Sequence, residues 1–106
     1  MAKRMMRLKN GLPREAFAIA GEPENPDTWH LPHHKKSILR ALKGAMDMEQ
    51  TVDWTQVTEA VSRLSPLNKV KRVRVSPEEI LEAANHLAGH YRQANRTLPD
   101  ILAALV

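Results

Sequence analysis

Apolar residues recur along this chain at two spacings, and the change of spacing divides it. In Glu15–Pro32 the interval is two: Phe17 and Ile19 share one face of an extended segment. Gly21-Glu22-Pro23-Glu24-Asn25-Pro26-Asp27 is dense in turn formers, and Thr28-Trp29-His30-Leu31-Pro32 then returns as a second short strand. The pattern over 15–32 predicts a loose hairpin or an extended lid. From His33 to about Met46 the interval becomes helical. Ile38, Ala41, Leu42 and Ala45 fall within one arc, while Lys36, Arg40 and Lys43 share the opposite face. Pro32 suits the start of that helix, and residues 47–51 read as a polar link.

A second helix follows, capped by Asp53 with Gln56 as its reciprocal partner, and carrying the stripe Trp54, Val57, Val61 and Leu64. Ser65-Pro66 ends it, because proline disfavours helix in the residue before it. Residues 69–75 alternate imperfectly and are rich in valine, which predicts a short, very basic edge strand. Ser76-Pro77-Glu78-Glu79 is the sharpest local signal: an N-cap, a proline in the first turn and a glutamate closing a capping box. Ile80, Ala84, Leu87 and Tyr91 form the stripe of this third helix, continued by Ala94. After Asn95-Arg96-Thr97, Leu98-Pro99-Asp100 opens a last short helix through about Leu105. The expected fold class is α+β, mostly helical, with three main helices plus a short C-terminal helix and a small antiparallel sheet or extended N-terminal hairpin. An all-helical domain with extended arms is the alternative. Residues 1–11 read as a flexible basic arm ending at Asn10-Gly11, and 12–106 as a single small globular domain.

At 106 residues the chain has room for one modest core and none for a dinucleotide-binding fold or an α/β barrel. Aromatic residues are only 4%, so aliphatic side chains must fill that core. There is no cysteine, which excludes disulfides, cysteine-ligated zinc, thiol catalysis and iron–sulfur clusters. No apolar run reaches the roughly 18 residues of a membrane span. The basic start, Met1 to Lys9, is not followed by the hydrophobic run of a signal peptide. A reducing cytoplasm is therefore the expected setting, with no membrane association.

Of the five histidines, His30, His33 and His34 lie in a proline-flanked segment with Asp27 as the nearby carboxylate. Loop ligands lack the rigid support a metal site needs, so surface or packing roles are assigned. His86 and His90 have the i, i+4 spacing that brings two helical side chains together. A zincin would have glutamate after the first histidine, where Leu87 stands, and both histidines are expected on the flank or solvent side of the third helix. The serines lack a nucleophile-elbow context, Ser76 being a cap, and the four glycines form no phosphate loop or dinucleotide fingerprint. No catalytic, cofactor-binding or metal residue is assigned, and no enzyme is expected.

The basic residues are more suggestive. Sixteen Lys and Arg against twelve Asp and Glu give a net charge of +4, and the cations cluster: Lys3, Arg4, Arg7 and Lys9; Lys35, Lys36, Arg40 and Lys43; Lys69, Lys71, Arg72 and Arg74. Brought onto one face, Lys36, Arg40, Lys43, Lys69, Lys71, Arg72 and Arg74 would track phosphates; left apart, they are solvated faces. The aromatic interleaving of single-strand binders is missing. Trp54 belongs to a helical stripe and reads as core. Trp29 reads first as a core plug and second as an anchor for a partner.

Leu12-Pro13, Ala16-Phe17-Ala18 and Pro26-x-Thr28-Trp29-x-Leu31-Pro32 ahead of a histidine-containing helix start resemble a small uncharacterised module of bacteriophage and prophage proteins, found near head-morphogenesis genes. Ala83-Ala84, His90-Tyr91-Arg92 and Leu98-Pro99 are similar to its final helix, and the resemblance spans roughly residues 12–102, with 47–75 unplaced. It implies a viral or prophage origin, in host cytoplasm or particle, and carries over no catalytic residues. The expected function is a non-catalytic interaction module that binds another protein. The alternative is a small nucleic-acid-binding protein that uses the basic clusters. The predicted edge strand makes a homodimer plausible.

Overall fold

The computed structural model describes residues 8–106, and its fold is α+β. Two strands, β1 (Phe17–Ala20) and β2 (Trp29–Pro32), pair antiparallel with Phe17 opposite Pro32 and Ile19 opposite His30. Four helices follow: α1 (Ile38–Leu42), α2 (Trp54–Leu64), α3 (Pro77–Gln93) and α4 (Asp100–Leu105). Short 3-10 turns at Arg14–Ala16, Pro26–Thr28 and Met48–Thr51 punctuate the chain. No helix among the described residues is long and apolar enough to cross a membrane.

The hairpin forms where the alternating pattern placed it. Phe17, Ile19, Trp29 and Leu31 are buried while their neighbours are half-buried. Its turn is closed by Thr28, whose hydroxyl accepts from the Glu22 N–H and donates to the Asn25 carbonyl, both at 2.7 Å. Gly21 is needed there, since a Cβ would run into the Thr28 side chain and backbone. α3 packs on β1 and α2 on β2. The main core, including Ile19, Leu31, Val57, Leu64, Leu87 and Leu102, lies between them, and a smaller cluster joins Phe17 and Trp29 of the hairpin to Leu12, Ala16 and Ile38.

Both helix starts read from the sequence are formed. Ser76 accepts from the Glu79 N–H, and the Glu79 carboxylate accepts from the Ser76 N–H. The Asp53 carboxylate accepts from Thr55 and Gln56 N–H groups, but Gln56 does not reciprocate: its Oε1 is buried without a partner among the described residues. α3 stops at Gln93 because Asn95 turns left-handed (φ 55°) and the Arg96 N–H closes onto the Tyr91 carbonyl.

Three expectations need correction. The helix expected over 33–46 shrinks to Ile38–Leu42, because the backbone of 33–35 is engaged elsewhere. The His33 N–H donates to Ala16, its carbonyl accepts from Asp53, and the Lys35 N–H donates to Thr51. The basic strand over 69–75 does not form. Asn68 folds that chain into a turn, its amide bonding the Ser62 carbonyl and hydroxyl, while the Arg72 and Val73 N–H groups donate to Asn68 and Arg63 carbonyls. The edge on which self-association was argued is therefore missing among the described residues. Of the basic arm, residues 1–7 lie outside the described residues, and Lys9–Leu12 is a closed two-residue turn with Asn10 and Gly11 at positive φ.

Candidate metal centre

The two histidine groups, judged separately in the sequence, meet in space. His86 and His90 project from one face of α3, one turn apart. His33 reaches them from the segment after β2, where its peptide is fixed at both ends. The His33 Nε2 lies 3.0 Å from His86 Nε2 and 3.1 Å from His90 Nε2, and the latter two are 3.2 Å apart. Tetrahedral zinc with bonds of about 2.0–2.1 Å puts its ligand nitrogens about 3.3 Å apart. The triangle is thus close to the right size for a small divalent ion about 1 Å above its plane.

The outer nitrogens decide which tautomers are present. The His90 Nδ1 lies 2.9 and 3.1 Å from the two oxygens of Glu49, an acceptor, so Nδ1 carries the proton. The His33 Nδ1 donates to the Leu31 carbonyl at 3.2 Å. When both rings are neutral, as metal ligation requires, their Nε2 atoms present bare lone pairs to each other at 3.1 Å. The His86 Nε2–H can donate toward one of them but puts no hydrogen between His33 and His90. A cation at the centre satisfies all three nitrogens at once. Glu49 and the Leu31 carbonyl are the oxygen partners that orient metal-binding imidazoles.

His34 extends the set. The Thr51 hydroxyl donates to the Met48 carbonyl at 2.6 Å, so at 2.7 Å it accepts from the His34 Nδ1–H. The His34 Nε2 is then bare as well, and His33, His34 and His90 each offer a ligand atom within 4.8 Å of the others. Burial pushes His33 down to about 2, helped by neighbouring His34, and pushes His34 down to about 4, helped by His90. His86, although it reaches solvent, is lowered too, first by partial desolvation against the cluster and then by His90. These three imidazoles are neutral at neutral pH, as coordination requires. His33 is fully buried at the base, and a cleft of about 620 Å³ opens over His34, His86, His90 and Glu49. Arg14 lines this cleft with its guanidinium tied to the Ala20 and Gly21 carbonyls.

The other predicted site residues lie elsewhere. His90, expected toward the flank or solvent, is buried, whereas His86 is exposed. His30 points away from the triad, because alternate side chains of β2 leave opposite faces; it lines a separate groove. Trp29 is not available as a partner anchor. It is 1% exposed, packs on Phe17 and donates its indole N–H to the Glu22 carbonyl. Lys36, Arg40 and Lys43 are exposed at and before α1, with the Lys36 side chain over Gly11, while Lys69, Lys71, Arg72 and Arg74 are exposed on the loop before α3. Two histidine doublets were visible in the sequence, and adding them together is the signal that would have found the site. Glu49 gave no signal, since it sat in a polar link.

Compared with known proteins, the chain matches no family model, no curated protein and no solved structure.

Proposed function

We propose that this protein is a divalent-metal-binding module in which His33, His86 and His90 hold a zinc-type ion. The observation that carries this reading is the triangle of Nε2 atoms, with two of the three imidazoles fixed as Nδ1–H tautomers by Leu31 and Glu49. All-imidazole ligation suits zinc, copper or nickel better than magnesium or calcium, which take oxygen donors. The ion would join the end of β2 to the middle of α3, two elements separated by more than fifty residues, and its remaining position would face the cleft beside His34.

The test is metal binding by the full chain without an affinity tag. Isothermal titration with Zn(II) is expected to show one ion per chain, and Co(II) to give the visible bands of a tetrahedral nitrogen site. Replacing His33 or His90 with alanine should abolish both signals, while His30→Ala should leave them intact. A folded wild-type chain that takes up neither ion would overturn the reading.

A further inference from the structure

We infer that the loop Pro66–Ser76 and the hairpin beside it form a docking surface for the phosphate backbone of double-stranded nucleic acid. A groove of about 510 Å³ runs between them, and Lys9, Arg63, Lys71, Arg72 and Arg74 all line it. On the other side of the same Arg72-Val73-Arg74 segment lies a second groove of about 730 Å³, lined also by Lys69. The loop is thus a ridge with cations facing the grooves on both flanks. Three of the basic residues come from the loop, one from α2 and one from the N-terminal turn, so folding collects charge that the sequence keeps apart.

The ridge is held in shape. The Val73 N–H donates to the Arg63 carbonyl, Arg72 N–H to Asn68, and Lys71 N–H to the Asn68 side chain, while Val73 and Val75 pack against the main core. Its charge is only partly neutralised. Glu59 pairs with Arg63 at 3.4 Å and Lys71 at 3.9 Å, whereas Lys69, Arg72 and Arg74 have no acidic partner among the described residues. Cations on a fixed backbone, with Lys69, Arg72 and Arg74 unneutralised among the described residues, suit a polyanion of regular spacing. Of the groove's rings, Phe17 and Trp29 are buried in the small core cluster and His30 is half-buried, so no extended stacking platform is offered, which favours a duplex over a single strand. Leu67 and Val70, 87% and 92% exposed on the same loop, stand ready for apolar contact with sugar faces.

The experiment is an anisotropy titration of a fluorescent 30-base-pair DNA duplex with the full chain across a salt series. With Lys69, Lys71, Arg72 and Arg74 each meeting a phosphate, the log–log salt slope is expected at about −3 to −4, at about −0.9 per contact. Arg72→Glu/Arg74→Glu, at exposed positions, should weaken binding at least ~10-fold and flatten the slope by about 2. Arg40→Glu/Lys43→Glu at the exposed side of α1, where neither residue lines either groove, carries the same charge change and should alter affinity by no more than about threefold, since screening limits charges away from the contact. No duplex binding at low salt would overturn the proposal. So would equal losses in the two charge-reversed variants, or retention on anionic phospholipid vesicles with none on DNA. Circular dichroism of each variant confirms that the fold is kept.

Discussion

At the scale of single residues, the histidines carry most of the chemistry, and His33, His34 and His90 each have a partner at Nδ1. Glu49 holds His90 by a charge-assisted contact. Its replacement by glutamine keeps an acceptor but removes the charge. Metal affinity is expected to fall about 10–100-fold in Glu49→Gln, measured by competition with a chromophoric chelator. The same histidines set a pH dependence. His33 and His34 protonate near 6.5 when the chain is unfolded, but only near about 2 and about 4 in the fold. Between those values the unfolded chain binds more protons, so stability rises with pH there. The metal-free protein should be most stable above pH 6.5 and lose stability as pH falls from 6.5 toward 4. Urea titrations at a series of pH values check this, and a midpoint that does not move over that interval would count against the burial of these rings. Trp54 illustrates a different pairing: the Arg96 guanidinium lies 4.0 Å from its ring centroid, and Tyr91 meets it edge-on at 5.0 Å. These contacts dock the residues after α3 against α2.

At the scale of elements, α3 is the organising helix, since one face supplies Ala83, Ala84 and Leu87 to the core while another supplies His86 and His90. Its start rests on the capping box. Ser76→Ala is expected to cost about 1 kcal/mol, read from urea unfolding. Leu87 is fully buried, and Leu87→Ala should cost about 2–5 kcal/mol by leaving a cavity. α2 and α3 were legible in the sequence because cap, stripe and stop agree in each. The hairpin was legible for the same reason: Phe17 and Ile19 alternate, the turn is rich in Gly, Pro and Asn, and Trp29 and Leu31 alternate again. α1 was overdrawn. Its apolar arc is real from Ile38 onward, but nothing local reveals that the His33 and Lys35 peptides bond to Ala16, Thr51 and Asp53. The valines at 70, 73 and 75 suggested a strand, yet a strand needs a neighbour, and this segment meets α2 and the core instead.

At the scale of the whole molecule, an ion bound by His33, His86 and His90 would act as a cross-link between the hairpin and α3. Binding to the folded state alone stabilises it by about 2.7 kcal/mol at a free concentration one hundred times the dissociation constant. For a domain of this size each kcal/mol raises the melting temperature by about 4–8 °C. Saturating zinc should therefore raise Tm by roughly 10 °C or more, excess chelator should reverse it, and His33→Ala should show no shift. An equal rise in His33→Ala would place the ion elsewhere.

The sequence by itself determined the elements whose causes are local: the capped starts of α2 and α3, the short α4, the hairpin and its polar turn, and an aliphatic core without disulfides. Tertiary structure alone decided where side chains distant in sequence meet. It drew His33 onto the α3 pair, supplied Glu49 as the partner of His90 and Thr51 as that of His34, and buried Trp29 away from solvent. It also brought Lys9 and Arg63 beside Lys71, Arg72 and Arg74. The physical reason is range. Caps and stripes act within a few residues, whereas a coordination triangle depends on backbone hydrogen bonds that fix His33 from both sides, and those partners lie 17 to 20 residues away along the chain.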